Sequence, residues 1–303
     1  MLLMRICIVV FLSFFFITGY GQTFERWAQV VNWDGFSHWS RYMITQPGFQ
    51  GPNSLPVPRI GNGSADSSFV IGVTGNLHFS NGDNTQNLTV YANYSLVKEL
   101  VSIDLMWVPY EHYTMSTAIK EKRHVFSPYY NDHSTPGDIH LNTTIQLLKK
   151  WRESIQLALR IGFRFPSGSG FGAARYTDEP GYYFDVSMGK PIKNSSVKWI
   201  AMMGFYVWQI KSDHHNQNDA LLVGSGLEWN KKSLRLQTYI AGYMGYLQNI
   251  GDDPFVFRAN MEKKLHRTTF LLGFQQGLKD FAYSSVEVGA KYNFRWKNNM
   301  LAK

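Results

Sequence analysis

His38-Trp39-Ser40 places an imidazole two residues from a hydroxyl, a spacing that can pair a general base with a nucleophile for acyl hydrolysis. The tripeptide lies in a stretch without strand periodicity, and so short a match recurs by chance. Asp213, His214, His215 and Asp219 carry metal-ligating groups, as do His112, His124 and His133, but no fixed spacing sets a coordination geometry. They read as solvated loop residues. Gly168, Gly170 and Gly172 suit a flexible outer loop, and no helix follows them to present amide N–H groups to a phosphate. None of these groups assigns a catalytic residue, a cofactor or a metal.

A larger constellation is of another kind. Asp104, Asp138, His140, Arg160, Arg164, Asp185, Glu228, Arg235, Arg258, Glu262, Glu287 and Lys291 lie on the polar side of segments whose other side is apolar. Both signs occur on neighbouring segments, and Asp138, His140, Arg160, Arg164 and Asp185 can meet in one network. Buried charges demand partners, so the set reads as ion pairs and water closing a lumen, with a permeation path as the sharper alternative.

The elements that must carry these residues are strands. Alternation marks Ser68 to Phe79, Asn87 to Val97, Leu100 to Tyr110, Asp138 to Leu147, Ser154 to Phe165 and Tyr182 to Lys190. It continues through Val197 to Gln209, Leu221 to Trp229, Ser233 to Tyr246, Phe255 to Lys263, Thr268 to Gly277 and Ser284 to Phe294. In the fifth, Ile155, Leu157, Leu159, Ile161, Phe163 and Phe165 oppose Gln156, Ala158, Arg160, Gly162 and Arg164. A strand of about 11 residues, tilted near 40°, spans about 27 Å, close to the ~25 Å apolar band of an outer membrane. Short connections at Lys98-Glu99, Lys149 to Glu153, Pro191 to Ser196, Asn230 to Lys232 and Leu265 to Arg267 alternate with longer ones, the longest from Glu111 to Gly137. The fold class is all-β: a transmembrane antiparallel up-and-down barrel of about 12 strands. Sorted connections put the short turns and both termini in the periplasm. Trp107, Trp151, Trp199, Trp208, Trp229, Trp296, Tyr110, Tyr182 and Tyr246 stand near strand ends and read as interfacial girdle residues.

Composition agrees. Charged residues are 17% and aromatics 16%, whereas soluble chains carry roughly 25% charged residues. Residues 1–21 read as a secretory signal, with Arg5, an apolar run from Ile6 to Ile17, and Gly19 and Gly21 before the cleavage point. The only cysteine, Cys7, leaves with it. The net charge of +8 reads as spread over turns, loops and polar faces, so nucleic acid is not an expected partner. Outer-membrane lipid and lipopolysaccharide, together with the barrel-assembly machinery, are.

Residues 22–67 differ from the barrel at 68–294 and from a periplasmic tail at 295–303. Trp27, Trp33, Trp39, Tyr42 and Phe49 occur among Pro47, Pro52, Pro56 and Pro58, with a short amphipathic helix expected to begin over Arg26 to Val31. The alternatives are a plug entering the lumen from the periplasmic side, packing at the membrane interface, or disorder.

Over Ser68 to Phe294 the chain resembles outer-membrane β-barrels of Gram-negative bacteria. The segments Gly137-Asp138-Ile139-His140-Leu141 and Leu159 to Gly168 are similar to the transporter-like barrels associated with phenol-degradation operons. That resemblance implies uptake of small, fairly apolar solutes and no enzyme activity. Tyr292 and Phe294 resemble the aromatic-ended insertion signal of such barrels, here followed by nine more residues. Arg41-Tyr42-Met43 with Pro47-Gly48 resembles the start of type IX secretion barrel proteins, which implies a structural or assembly role instead. The His-x-Ser spacing is that of outer-membrane phospholipase A without its flanking pattern, a more remote lipid-modifying alternative.

Overall fold

A computed structural model of the chain describes residues 23–126, 132–151, 155–210, 216–247 and 251–294. Strands β1 (Phe69–Ser80), β2 (Asp83–Val97), β3 (Val101–Met115), β4 (Asp132–Thr135), β5 (Ile139–Trp151), β6 (Ile155–Phe165) and β7 (Gly181–Pro191) form the first half. Strands β8 (Val197–Gln209), β9 (Gln217–Lys231), β10 (Leu234–Gly245), β11 (Phe255–Leu265), β12 (Thr268–Lys279) and β13 (Ser284–Phe294) complete it. Every neighbour is antiparallel, and β1 pairs with β13 from Phe69↔Phe294 to Phe79↔Ser284. Twelve strands close the ring, while β4 pairs only with Glu111–Thr114 on the projecting part of β3. The expected signal at 1–21, the expected tail from 295 and the Asp213-His214-His215 group lie outside the described residues.

Each expected segment is a strand, and alternation sets its faces. In β6, Ile161, Phe163 and Phe165 are exposed on the outside while Arg164 and Gly162 are buried. On β1, Ile71, Val73, Leu77 and Phe79 are exposed while Thr74, Asn76 and His78 are buried. An exterior so apolar over an interior so polar is stable around a lumen and within hydrocarbon, where the closed ladder satisfies every strand. Trp107, Trp199, Tyr110, Tyr182 and Tyr246 are exposed, as girdle residues should be. Trp208 is not one of them. It is fully buried inside the ring, where its indole N–H donates to Thr45 O at 3.0 Å. Trp296 and the Trp151 side chain lie outside the described set.

Several expected boundaries move, the fourth expected strand running on to Trp151 and the eighth starting at Gln217. The second strand begins at Asp83 rather than Asn87, because Asn81-Gly82 alone turns the chain between the Ser80↔Asp83 pair, with Gly82 at φ +80°. The third continues to Met115, beyond Tyr110. At the other end, Glu99, Asn194, Lys232 and His266 each adopt a left-handed conformation (φ 55–58°), which permits very short reversals. That end is called the turn end. Residues 116–126, 132–138, 166–180 and 251–254 belong to the opposite, loop end.

The N-terminal segment is ordered and threads the ring from end to end. Helix α1 (Phe24–Val31) is capped by the Thr23 hydroxyl and ended by Asn32 in the left-handed region. It packs on the loop end, where Arg26 pairs with Glu121 of helix α2 (Thr117–Lys122) and the Trp27 indole donates to His124 O. From there the chain descends: Gly48 N–H donates to Gly251 O, Gly51 N–H to Ala174 O, and Leu55 O accepts from Tyr243. Gly63 O and Ala65 N–H reach Gln146 near the turn end, where the segment joins β1. The descent needs glycine. A Cβ on Gly63 (φ +78°) would stand 2.4 Å from Gln156 O, and one on Gly189 would stand 2.1 Å from Asn62 O. Disorder and interfacial packing are thereby replaced by a lumen thread. Thr23 lies at the loop end and Phe294 at the turn end, so the described termini are on opposite sides, contrary to the expected common side.

The faces make a direct test. Ile161→Arg should cost roughly 2–4 kcal/mol near mid-membrane and reduce the heat-modifiable folded band, whereas Ile161→Val should not. An arginine tolerated as silently as valine would remove the lipid-facing assignment of β6.

Candidate functional site in the lumen

Inward positions recur every second residue, so each strand delivers one column of side chains to the lumen. All twelve charged residues expected there occur inside, and most meet a partner. Arg160 pairs with Asp185 at 2.8 Å, and Arg164 pairs with Asp138 at 2.7 Å while donating to Thr177 at 2.9 Å. Nearer the turn end, Arg235 joins Glu228 at 2.5 Å and Glu262 at 3.5 Å, and Lys291 reaches the other Glu262 oxygen at 2.8 Å. Glu287 is held by Arg59 of the threaded segment. Asp104 accepts from Asn142 at 2.7 Å, Arg258 donates to Gln275 and to Val57 O, and His140 is buried in the same wall. The anticipated joining of Arg160, Arg164, Asp138 and Asp185 is two adjacent pairs, not one continuous network.

A second cluster, at the loop end, has no counterpart in the sequence reading. Asp83 accepts from Arg123 (2.5 Å), Arg175 (2.8 Å) and Tyr283 (2.6 Å), while Glu111 accepts from Arg175 (2.8 Å), Tyr176 (2.9 Å) and Asn53 (2.7 Å). Asp83, Glu111, Arg123 and Arg175 are all buried. Desolvation and the Glu111 carboxylate push the Tyr176 phenol well above its ordinary range, so it stays a neutral donor. Glu111 was hidden by a register shift. Leu88↔Tyr110 is followed by Val90↔Trp107, so β3 carries an extra residue around Pro109 and its inward parity changes there. Arg123 and Arg175 belong to loops without a period, and no sequence signal marks them.

The loops therefore close over this end. The glycine-rich stretch folds inward rather than forming a flexible outer loop, with Gly168 N–H on Asp138 and Phe171 and Ala173 buried beside Met43 and Tyr113. His124 Nδ1 lies 2.9 Å from Tyr42 O and helps hold the thread, while His112 sits 3.4 Å from Asp132 on the rim. His38 and Ser40 do approach, at 2.8 Å, but Ser40 N–H also points to His38 Nδ1, and the contact caps a local 3-10 turn. Among the described residues no group of three His, Cys, Asp or Glu side chains could hold a metal ion.

Beneath the closed end is a cavity of about 420 Å³ beside the thread, bordered by Pro52 and Pro56 to Ile60. Six cationic side chains (Arg59, Arg160, Arg164, Arg235, Arg258, Lys291) and three carboxylates (Asp104, Glu262, Glu287) face it, with Asn76, Asn142, Tyr183 and Gln237. The Arg59 side chain is 57% exposed although strands surround it, so it faces open lumen space. Outside the lumen, exposed Lys98, Lys193, Lys231, Lys232, Lys263, Lys264 and Arg267 ring the turn end together with Glu99, while at the loop end exposed Glu25, Asp34, Asp132 and Asp178 stand among exposed Arg26, Arg41, Lys122 and Lys279.

No protein-family model matches the chain, and no curated protein matches it. Solved structures do. The COG4313 outer membrane channel from Pseudomonas putida F1 superposes with a TM-score of 0.53 at 9% identity, over 79% of this chain and 100% of that one. The NanC porin gives 0.46 at 10% identity over 74% and 100%, and the translocator domain of autotransporter NalP from Neisseria meningitidis gives 0.43 at 12% over 76% and 90%. The chain has the fold of the outer-membrane β-barrels of Gram-negative bacteria.

The loop-end cluster should behave as a buried ion-pair network. Arg175→Leu leaves Glu111 buried without a cation and Asp83 with Arg123 as its one paired cation, and should destabilise the barrel by about 3–5 kcal/mol, read as a lower urea midpoint in tryptophan fluorescence. A loss under about 1 kcal/mol, the worth of an exposed pair, would show that water reaches these carboxylates.

Proposed function

We propose that the protein is a narrow outer-membrane channel for small polar or amphipathic solutes, closed at its loop end in this conformation by its own N-terminal segment. The observation that carries this reading is the cavity of about 420 Å³, lined by charged and hydroxyl groups interleaved with apolar side chains such as Met106, Val108, Leu272 and Phe274, and capped by the Asp83–Arg175–Glu111 cluster. This mixed lining suits a small polar or amphipathic solute, the latter within the hydrophobic or amphipathic class expected from the sequence. The charged and hydroxyl groups exchange hydrogen bonds with the polar part of a solute as it leaves water, and the apolar side chains between them cover its hydrocarbon part. The fold shared with the COG4313 outer membrane channel is in keeping with it.

In this reading the short turns and Phe294 face the periplasm, and the loop end, with Thr23, faces outward. The thread is the gate. It is fixed by Arg59–Glu287, by Arg258 on Val57 O and by Trp208 on Thr45 O, contacts spread along the lumen. One feature favours the alternative of an envelope assembly partner. Phe36 is 87% exposed on the turn Asp34–Ser37, whose Asp34 carboxyl is held at about 2 by the Ser37 hydroxyl and the Phe36 and Ser37 amides.

Two measurements test the reading. Deleting residues 23–66 behind the signal should leave a heat-modifiable barrel and raise its single-channel conductance in planar bilayers several-fold. Equal conductance with an intact barrel would favour the partner role. Cysteines introduced singly at Gly35 and Lys231 of the otherwise cysteine-free mature chain should differ on intact cells. The first should label with an impermeant maleimide and the second should not, and the reverse pattern would invert the orientation.

A further inference from the structure

Most strand-borne charges that border the cavity are paired, and two of them are not. Arg160, Arg164, Arg235, Arg59 and Lys291 each contact a carboxylate. Arg258 does not: its described acceptors are Gln275 Oε1, Val57 O and the Tyr239 hydroxyl, all neutral. Asp104 is the mirror case. Its Oδ1 accepts from the Asn142 amide at 2.7 Å, and among the described residues it forms no ion pair.

Both groups border the same cavity. They also oppose each other, since Asp104 is on β3 and Arg258 on β11, with four ring strands between them one way and six the other. A buried guanidinium without an anion and a half-buried carboxylate without a cation each forfeit hydration without full return. Their separation across open space keeps them from satisfying one another. A single inorganic ion satisfies one and leaves the other. A molecule with an anionic group at one end and an ammonium at the other satisfies both and leaves the lumen's total charge unchanged.

We propose that the cavity binds a small zwitterion of amino-acid type, its carboxylate on Arg258 and its ammonium on Asp104. The neutral groups around each charge suit this task. Gln275 and Val57 O fix the Arg258 plane while leaving part of its donor fork free, and Tyr183 donates to the Asn142 oxygen at 2.7 Å, which turns the Asn142 amide toward Asp104. Nearby Arg160 does not compete, being bound to Asp185. A cavity of about 420 Å³ holds such a molecule with water and excludes large solutes. The assignment rests on the channel reading for its biological meaning, but binding itself is measurable without transport.

The test is isothermal titration of the full chain in detergent with glycine, 4-aminobutanoate and 6-aminohexanoate, against butanoate and butylammonium as single-charge controls. At least one zwitterion should bind ten-fold or more tightly than either control. Asp104→Asn and Arg258→Gln should each weaken it at least ten-fold, with Arg258→Lys restoring part of the loss in a barrel shown to be folded by heat modifiability. Butanoate binding as tightly, with Asp104→Asn silent, would overturn the proposal in favour of a plain anion site. Failure of every zwitterion to bind a chain that conducts would overturn it while leaving the channel standing. Zwitterion binding that needs both residues in a chain that does not conduct would uphold the site and remove the channel.

Discussion

Closure of the ladder between β1 and β13 is the constraint on which the rest of the molecule depends. In hydrocarbon an open strand edge leaves N–H and C=O groups without partners at several kcal/mol each, and pairing from Phe69↔Phe294 to Phe79↔Ser284 removes both edges at once. Closure also fixes which residues face inward around the whole circumference. With the exterior committed to lipid, the strand-borne charges must go inside and be balanced there. Partners are found between neighbouring strands, as for Arg160 and Asp185, or across a strand, as Lys291 on β13 reaches Glu262 on β11. The space left over admits one more chain segment, and residues 45–65 occupy it.

Much of this was legible from period alone. Alternation locates the wall strands and assigns Arg160, Arg164, Asp185 and Lys291 to the lumen, because in a strand the face follows from counting. Counting fails where the count changes. The extra residue around Pro109 turns Glu111 inward, and the two-residue reversal at Asn81-Gly82 brings Asp83 into β2, so the acidic half of the loop-end cluster was invisible. Its basic half, Arg123 and Arg175, comes from loops where tertiary contact alone decides position. Trp208 was misplaced for a related reason: a tryptophan near a strand end suits the interface or a buried partner equally well, and parity with Tyr206 puts it inside.

The threaded segment was the least legible element. Its tryptophans and prolines announce packing but not a destination, since irregular chain has no face to read. What fixes its path is a series of single contacts to different strands, each weak as a sequence signal: Leu55 O on Tyr243, Val57 O on Arg258, Arg59 on Glu287, Asn62 against Gly189. Unlike a globular plug domain with its own core, this segment borrows its core from the barrel. Leu55, Val57 and Ile60 are buried among Tyr183, Tyr206, Tyr239 and Tyr243.

A ring closed around its own chain is a mechanical interlock. Outside the loop end the segment broadens into a head built from α1 and the turn Trp39–Tyr42, locked by Trp27, Trp39 and Phe126, while at the turn end it is tethered covalently to β1. Withdrawal toward the turn end requires dismantling the head, and withdrawal toward the loop end is stopped by the tether. The segment can slacken but cannot leave. The least costly order of assembly follows from the same geometry: the thread is laid against a still-open sheet before β1 and β13 meet, which spares its bulky aromatic and charged side chains a passage through a finished lumen. The threaded segment then acts as a mandrel around which the last strands are wound.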